Sequence, residues 1–151
     1  AVRHGVDMLL SSGSADCASP VAKGTQPSLD RWLREAKASP EAGKIGMYLS
    51  HNGVVRETAR AAVRDGAHVR RVRGMRFSYD REKLEAAVKE TGRREGIYYV
   101  RAWLGEGELA VGDDIMLVLV GGDIRPRVVD ALQFLVGKLK SECVMEQELY
   151  E

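Results

Sequence analysis

The sequence predicts an α+β fold, in which a mixed or antiparallel sheet is covered by packed helices. Three observations support this class. Apolar residues make up 44% of the 151 residues, which is enough for one domain with a substantial core. The run from Ile115 to Val120 is almost wholly apolar, as in a central strand covered on both faces. Helical and extended segments interleave without the regular spacing of a Rossmann fold.

Three helices are indicated by a capping residue followed by an apolar stripe. The predicted N-caps are Ser28, Asp80 and Asp123. The first helix is expected to end at Ser39-Pro40 and the second at about Arg94. The inward residues are expected to be Leu29, Trp32, Leu33 and Ala36 in the first helix, Leu84, Ala87 and Val88 in the second, and Val129, Leu132, Leu135, Val136 and Leu139 in the third.

Strands are predicted at residues 44–50, 69–78, 97–104, 115–120 and 143–150. The tripeptide His51-Asn52-Gly53 is expected to end or interrupt the first of these strands. The polar segment 57–68 is predicted to be a mobile loop. Residues 1–26, rich in Ser, Ala and Gly, are predicted to form a loosely ordered arm, and residues 27–151 to form the domain.

Composition restricts the possible functions. The net charge is +1, so no general affinity for polyanions follows, and no apolar run approaches the roughly 20 residues of a membrane span. The two cysteines show no CxxC spacing and the three histidines are scattered, so neither a disulfide framework nor a metal site is expected. Free thiols fit a reducing cytosol, which predicts a cytoplasmic protein.

An arginine-rich window covers residues 56–76. Guanidinium groups present a planar fork of donors that suits phosphate, although a solvated loop and an exposed strand face would show the same composition. The window lacks the interleaved aromatic residues of a nucleic-acid binder, since Phe77 and Tyr79 come only at its edge. No nucleic-acid partner is therefore expected.

Two cations mark the ends of the last helix. Arg125 lies at its start, where free backbone N–H groups favour anions, although a surface arginine near a turn is equally consistent. Lys140 lies at its end, where the helix dipole alone would favour a lysine. Fifteen residues at about 1.5 Å each separate them by roughly 22 Å. If both serve one small substrate, two chains must contribute to the site, which predicts a two-fold homodimer.

A further candidate substrate-binding element comprises Asn52, Gly53 and Arg56. Gly53 would let a ligand approach the backbone closely, and Arg56 would bind an anion. The alternative is a hairpin corner that carries an exposed arginine.

Several motifs together resemble the catalytic, or large, subunit of molybdopterin synthase over about two-thirds of the chain. The family's G-x-V-R turn is similar to Gly53-Val54-Val55-Arg56, and its G-E-L-x-x-G-D motif matches residues 107–113. Its helix-starting H-R aligns with Ile124-Arg125, and the L-K that ends this helix aligns with Leu139-Lys140. The order and spacing of the motifs make the match specific.

The resemblance implies an α/β hammerhead fold and a homodimer that binds a small ubiquitin-like sulfur carrier at each end. The carrier's Gly-Gly thiocarboxylate would enter the pocket, and its sulfur would pass to cyclic pyranopterin monophosphate to form the dithiolene of molybdopterin. No metal or other cofactor is implied for this step. Lys140 would be the catalytic lysine, while Arg56 and Arg125 would hold the phosphate and the pterin, with Arg125 supplied by the second chain.

The chain departs from the family pattern at three positions. The family histidine before the helix arginine is Ile124, the second family lysine aligns with Gln147, and the family tryptophan aligns with Glu146. An alternative function is therefore a diverged, non-catalytic protein that binds the pterin phosphate or the sulfur carrier.

Overall fold

The computed structural model describes residues 5–11, 19–21, 27–57 and 71–150. Within these ranges the helices are α1 (Leu29–Lys37), α2 (Arg81–Gly92) and α3 (Arg125–Lys138). The strands are β1 (Gly5–Ser11), β2 (Ser19–Val21), β3 (Met47–Val54), β4 (Val72–Tyr79), β5 (Ile97–Gly105), β6 (Gly107–Ala110), β7 (Asp114–Gly122) and β8 (Val144–Tyr150). A five-residue π-helical turn, Leu139–Cys143, joins α3 to β8.

The described strands form two antiparallel sheets. The larger sheet has the order β2-β1-β5-β7-β3, and the smaller has the order β6-β4-β8. Every strand pair in both sheets is antiparallel. The predicted α+β class is confirmed, and so is the expected strand at the end of the chain.

Strand β7 is covered on both faces, as its continuous apolar run predicts. Met116, Val118 and Val120 pack into the main core with α2 and α3. Leu117 and Leu119 point the other way, into a second cluster closed by α1. Because β7 lies between β5 and β3 in the sheet, it supports β3 at the edge.

The first two helices begin where their capping residues predict. The Ser28 side chain accepts a hydrogen bond from the backbone N–H of Arg31 at 3.3 Å, and Asp80 accepts one from that of Lys83 at 3.1 Å. The expected inward residues of both helices are confirmed where they are buried, namely Trp32, Ala36, Leu84, Ala87 and Val88.

The prediction for α3 is wrong in two details. Its N-cap is Ile124 rather than Asp123, because the Asp123 carboxylate is held by the backbone N–H of Ile124 at 2.7 Å and by Arg127 at 2.6 Å. Val128 rather than Val129 is buried in the core, because the buried stripe passes through Val128, Ala131, Leu135 and Leu139.

The segment 1–26 differs from the predicted loosely ordered arm at its first strand. Gly5–Ser11 is a largely buried strand that pairs along its whole length with β5. Residues 1–4, 12–18 and 22–26 lie outside the described residues. Because β1 belongs to the main sheet, the structural unit begins upstream of residue 27.

A buried ion pair fastens β1 to the sheet. The Arg101 guanidinium on β5 contacts both carboxylate oxygens of Asp7 at 2.9 and 2.7 Å, and it also pairs with Glu35 of α1. Its charged end lies 4.5 Å from the ring centroid of Trp32, in cation–π geometry. One arginine therefore connects β1, β5 and α1.

Candidate functional site

A cavity of about 500 Å³ lies between the two sheets. Its walls come from β3 and β7 of the larger sheet, from β4 and β8 of the smaller sheet, and from the π-helical turn. The lining residues are His51, Gly53, Val54, Arg56, Met75, Phe77, Ile115, Met116, Lys140, Val144, Glu146, Glu148 and Tyr150. Its volume falls within the range of small-molecule sites.

Three of the five predicted site residues line this cavity. Gly53 and Arg56 reach it from β3 and the residues that follow, and Lys140 reaches it from the π-helical turn. Lys140 is more than 80 positions away from Gly53 and Arg56 in the sequence, so the cavity brings together two of the motifs identified above. Asn52 and Arg125 do not line it.

The tripeptide His51-Asn52-Gly53 does not interrupt the strand as predicted. All three residues continue β3, which pairs with β7, and the register shifts only between Gly53 and Val54. Because alternate residues of a strand point to opposite faces, His51 and Gly53 face the cavity together and Asn52 faces away. The Asn52 amide donates to Asp114 Oδ1 at 3.1 Å and to the Met116 carbonyl at 3.2 Å, so it ties β3 to β7.

Lys140 differs from its neighbour Lys138 in its surroundings. The Lys138 ammonium lies 3.3 Å from Glu142 and 3.9 Å from Glu90. Lys140 is exposed and forms no ion pair with any residue that the structure describes. Contacts with neighbouring carboxylates therefore account for the presence of Lys138 at this helix end. Among the described residues, no such contact accounts for Lys140.

His51 also lines the cavity, although it is not among the site residues predicted from the sequence. Its Nε2 atom is buried and has no hydrogen-bond partner among the described residues. Burial, followed by the positive charge of Lys140, lowers the pKa of the imidazole below its usual value. The sequence does contain a signal for His51. Side chains two residues apart in a strand point to the same face, so His51 must share the face of Gly53.

The wall formed by β8 is acidic. Val144, Glu146, Glu148 and Tyr150 alternate along the strand and line the cavity. Gln147, which aligns with the second family lysine, lies on the opposite face of β8 and is not among the lining residues. This acidic wall was not predicted, since the phase of β8 depends on the π-helical turn before it.

Arg125 lies at the other end of α3 from Lys140. It is exposed at the first position of the helix, next to Ile124, which is 51% exposed and provides no side-chain cap. At about 1.5 Å per residue the two ends of this helical segment are roughly 22 Å apart. Within one chain, Arg125 and Lys140 do not form one site.

Two arginines in the described part of the arginine-rich window pair with carboxylates. Arg71 pairs with Glu57, and Arg73 lies 3.4 Å from Glu108. The segment 58–70, including most of the predicted mobile loop, lies outside the described residues.

Within residues 5–11, 19–21, 27–57 and 71–150, no group of three or more His, Cys, Asp or Glu side chains is arranged to hold a metal ion. Likewise, no helix within these ranges has both the length and the apolar character that crossing a membrane requires.

Comparison with known families accounts for this combination of fold and motifs. The sequence model of the MoaE protein family matches residues 25–142, which include every lining residue from β3 through Lys140. The chain belongs to the MoaE protein family. Membership in the MoaE family supports a role in molybdenum-cofactor biosynthesis and an enzyme-type function. No curated protein sequence matches the chain.

Solved structures of MoaE-type proteins have the same fold. Molybdopterin synthase from Staphylococcus aureus is 17% identical, with a TM-score of 0.65 over 83% of this chain and 88% of that one. The MoaE protein from Burkholderia ambifaria MC40-6 is 22% identical, with a TM-score of 0.62 over 83% and 81%. A complex of subunits 1 and 2 of the molybdopterin-converting factor from Helicobacter pylori 26695 contains a chain that is 16% identical, with a TM-score of 0.60 over 82% and 76%.

Proposed function

We propose that the chain transfers sulfur from a thiocarboxylated ubiquitin-like carrier to cyclic pyranopterin monophosphate, which forms the dithiolene of molybdopterin. The observation that supports this most directly is the shared cavity of Arg56 and Lys140, two cations from distant motifs that line one space of about 500 Å³. Membership in the MoaE family makes molybdopterin synthesis the reaction to test first.

The residue types suit the proposed chemistry. The reaction joins two anions, a thiocarboxylate and a phosphorylated pterin, so cationic side chains are needed to hold both and to disperse developing charge. Arg56 holds the phosphate or the pterin with its planar guanidinium. Lys140 acts on the thiocarboxylate carbonyl or carries a proton, and Gly53 leaves the backbone open to a close approach by the substrate.

The proposed partner is a small carrier protein whose flexible Gly-Gly tail enters the cavity. The solved complex of two molybdopterin-converting subunits from H. pylori supports a two-protein arrangement. A second copy of this chain is the other proposed partner. In such a homodimer, Arg125 of one copy would approach the Lys140 cavity of the other, which would overcome the separation that α3 imposes within one chain.

A sulfur-transfer assay tests this proposal. The full chain is mixed with a thiocarboxylated carrier and the cyclic precursor, and the dithiolene product is measured. Lys140→Ala is expected to abolish product formation. Lys138→Ala is the matched control, since it removes a lysine that is bound to Glu142 and does not line the cavity. Equal activity of the wild type and Lys140→Ala would refute the role of this lysine.

A non-catalytic binding protein is the second candidate, and two observations favour it. Ile124 offers no hydrogen-bond donor from its side chain at the position of the family histidine, and Glu146 and Glu148 make one wall of the cavity acidic. On this hypothesis the wild type binds the cyclic precursor in a calorimetric titration but forms no product in the same assay. Product formation by the wild type rules this candidate out.

A further inference from the structure

The strand register of the smaller sheet places carboxylates beside an apolar surface inside the cavity. Glu146 of β8 lies directly opposite Phe77 of β4, and Glu148 lies directly opposite Met75. Side chains of directly opposed residues in an antiparallel pair share one face of the sheet, with Cβ atoms about 4.5–5.5 Å apart. All four residues line the cavity. The smaller sheet therefore contributes an apolar strip that is bordered by carboxylates on its β8 side.

Glu146 differs from nearby carboxylates in its contacts. Glu108 of β6 lies 3.4 Å from Arg73, and Glu142 lies 3.3 Å from Lys138. Glu146 forms no hydrogen bond or ion pair with any residue in the part of the chain that the structure describes. Its carboxylate lines the cavity and is therefore available to hydrogen-bond donors of a ligand.

Charge complementarity decides which part of the proposed substrate can face this wall. The thiocarboxylate and the phosphate are attracted to Lys140 and Arg56 and are repelled by Glu146 and Glu148. The pterin ring has a different edge, on which the 2-amino group and the adjacent N3–H are two donors that point the same way. A carboxylate has two acceptor oxygens and no donor, so it matches this edge with two parallel hydrogen bonds.

We propose that Glu146 determines specificity for the pterin by accepting these two hydrogen bonds, an inference that rests on the proposed function. One carboxylate oxygen accepts from the 2-amino group and the other accepts from N3–H. The apolar lining residues Met75, Ile115 and Met116 suit the flat faces of the ring, and Arg56 holds the phosphate. This recognition is a property of this chain, since Glu146 aligns with the family tryptophan.

Two matched ligands test the proposal in a fluorescence binding titration. They are 6-hydroxymethylpterin phosphate and 6-hydroxymethyllumazine phosphate, in which an oxygen replaces the 2-amino group. The wild type is expected to bind the pterin roughly tenfold more tightly, because the lumazine loses one hydrogen bond to the carboxylate. Glu146→Gln is expected to remove or reverse this preference, since an amide offers one acceptor and one donor, which match N3–H and the C2 carbonyl of lumazine.

Glu108→Gln is the matched control. It removes a carboxylate from the same sheet, where Glu108 lies opposite Arg76 and does not line the cavity. This variant is expected to keep the wild-type preference. Equal affinity of the wild type for the two ligands, or the same preference in Glu146→Gln as in the wild type, would overturn the proposal. The latter result is the one expected of a glutamate that only keeps a sheet edge solvated.

Guanine presents the same pair of donors as a pterin, so GMP is the third ligand of the titration. The wild type is expected to bind GMP more weakly than the pterin phosphate, because the proposed site holds a phosphate at the distance set by the pterin. Tighter binding of GMP would overturn the assignment of the pterin as the recognised ring.

The sulfur-transfer assay separates this inference from the proposed function. If the wild type forms product, Glu146→Gln is expected to raise the KM for the cyclic precursor roughly tenfold and to change kcat by less than about twofold, as for loss of a contact present before and during the reaction. A wild type that prefers the pterin but forms no product contradicts the proposed function and supports the role of Glu146. Product formation without a preference for the pterin contradicts the role of Glu146 alone, and failure to bind either ligand contradicts both.

Discussion

Replacement of Asp7 with asparagine is expected to lower the free energy of unfolding by about 3 kcal/mol. Asp7 and Arg101 have side chains that are only 8% and 2% exposed, so the guanidinium has little access to water once its main partner is neutral. Removal of one member of a buried ion pair is unfavourable by about 3–5 kcal/mol. The lower end applies because asparagine can still accept one hydrogen bond and Glu35 still contacts Arg101.

Urea unfolding followed by circular dichroism measures this change, and thermal unfolding is expected to show a fall in Tm of roughly 6–12 °C for a domain of this size. Glu35→Gln is the matched control, because Glu35 binds the same guanidinium but is 48% exposed. Its replacement is expected to lower the free energy of unfolding by less than about 1 kcal/mol.

Equal and small effects of the two substitutions would refute this reasoning, since they would show that β1 does not bury the arginine in solution. The double variant Asp7→Leu with Arg101→Met gives a further check. It replaces both charges with apolar groups, and it is expected to be more stable than Asp7→Asn because no buried charge is left without a partner.

Three further predictions concern single groups. Burial raises the pKa of Cys143 to about 11, so iodoacetamide at pH 8 is expected to leave this thiol unmodified in the folded protein and to alkylate it in urea, as peptide mass spectrometry would show. The pKa of His51 is lower in the folded protein than in the unfolded chain, so the unfolded state binds the imidazole proton more tightly. The free energy of unfolding should therefore rise as the pH increases from the folded-state pKa to about 6.5, and urea midpoints of His51→Gln should lose this rise. Gly46→Ala is expected to destabilise the fold by about 1–3 kcal/mol in urea unfolding, since its Cβ would lie 2.3 Å from the Asp123 carbonyl oxygen; Gly43→Ala, with no atom within 4 Å, should change stability little.

Local patterns in the sequence predict most of the fold. The caps at Ser28 and Asp80 depend on neighbouring residues, and the apolar run of β7 reflects burial on both faces, so each can be recognised without knowledge of the rest of the chain. The strand at Gly5–Ser11 was missed because its short apolar run was grouped with the Ser-, Ala- and Gly-rich residues that follow it in the chain. Its order depends on pairing with β5 and on the contact of Asp7 with Arg101, which is 94 positions away.

The candidate site was likewise predicted from the sequence only in part. Gly53, Arg56 and Lys140 were found from motifs, and they line one cavity. Arg125 was grouped with Lys140 by hypothesis, and a single chain holds them at opposite ends of α3. His51 was read as part of a turn, because its tripeptide resembles a hairpin corner; only the pairing of β3 with β7 fixes it as a strand residue that faces the cavity.

The π-helical turn at Leu139–Cys143 determines which side chains of the final strand line the cavity between the two sheets. A π-type hydrogen bond encloses one residue more than an α-helical one, and in a strand a shift of one residue exchanges the two faces. Deletion of a single residue from this turn would carry Gln147 inward and move Glu146 and Glu148 to the solvent side. The length of a helix end, and not only the identity of its residues, is thus a means by which a protein of this fold can change the charge of its cavity while every strand stays paired.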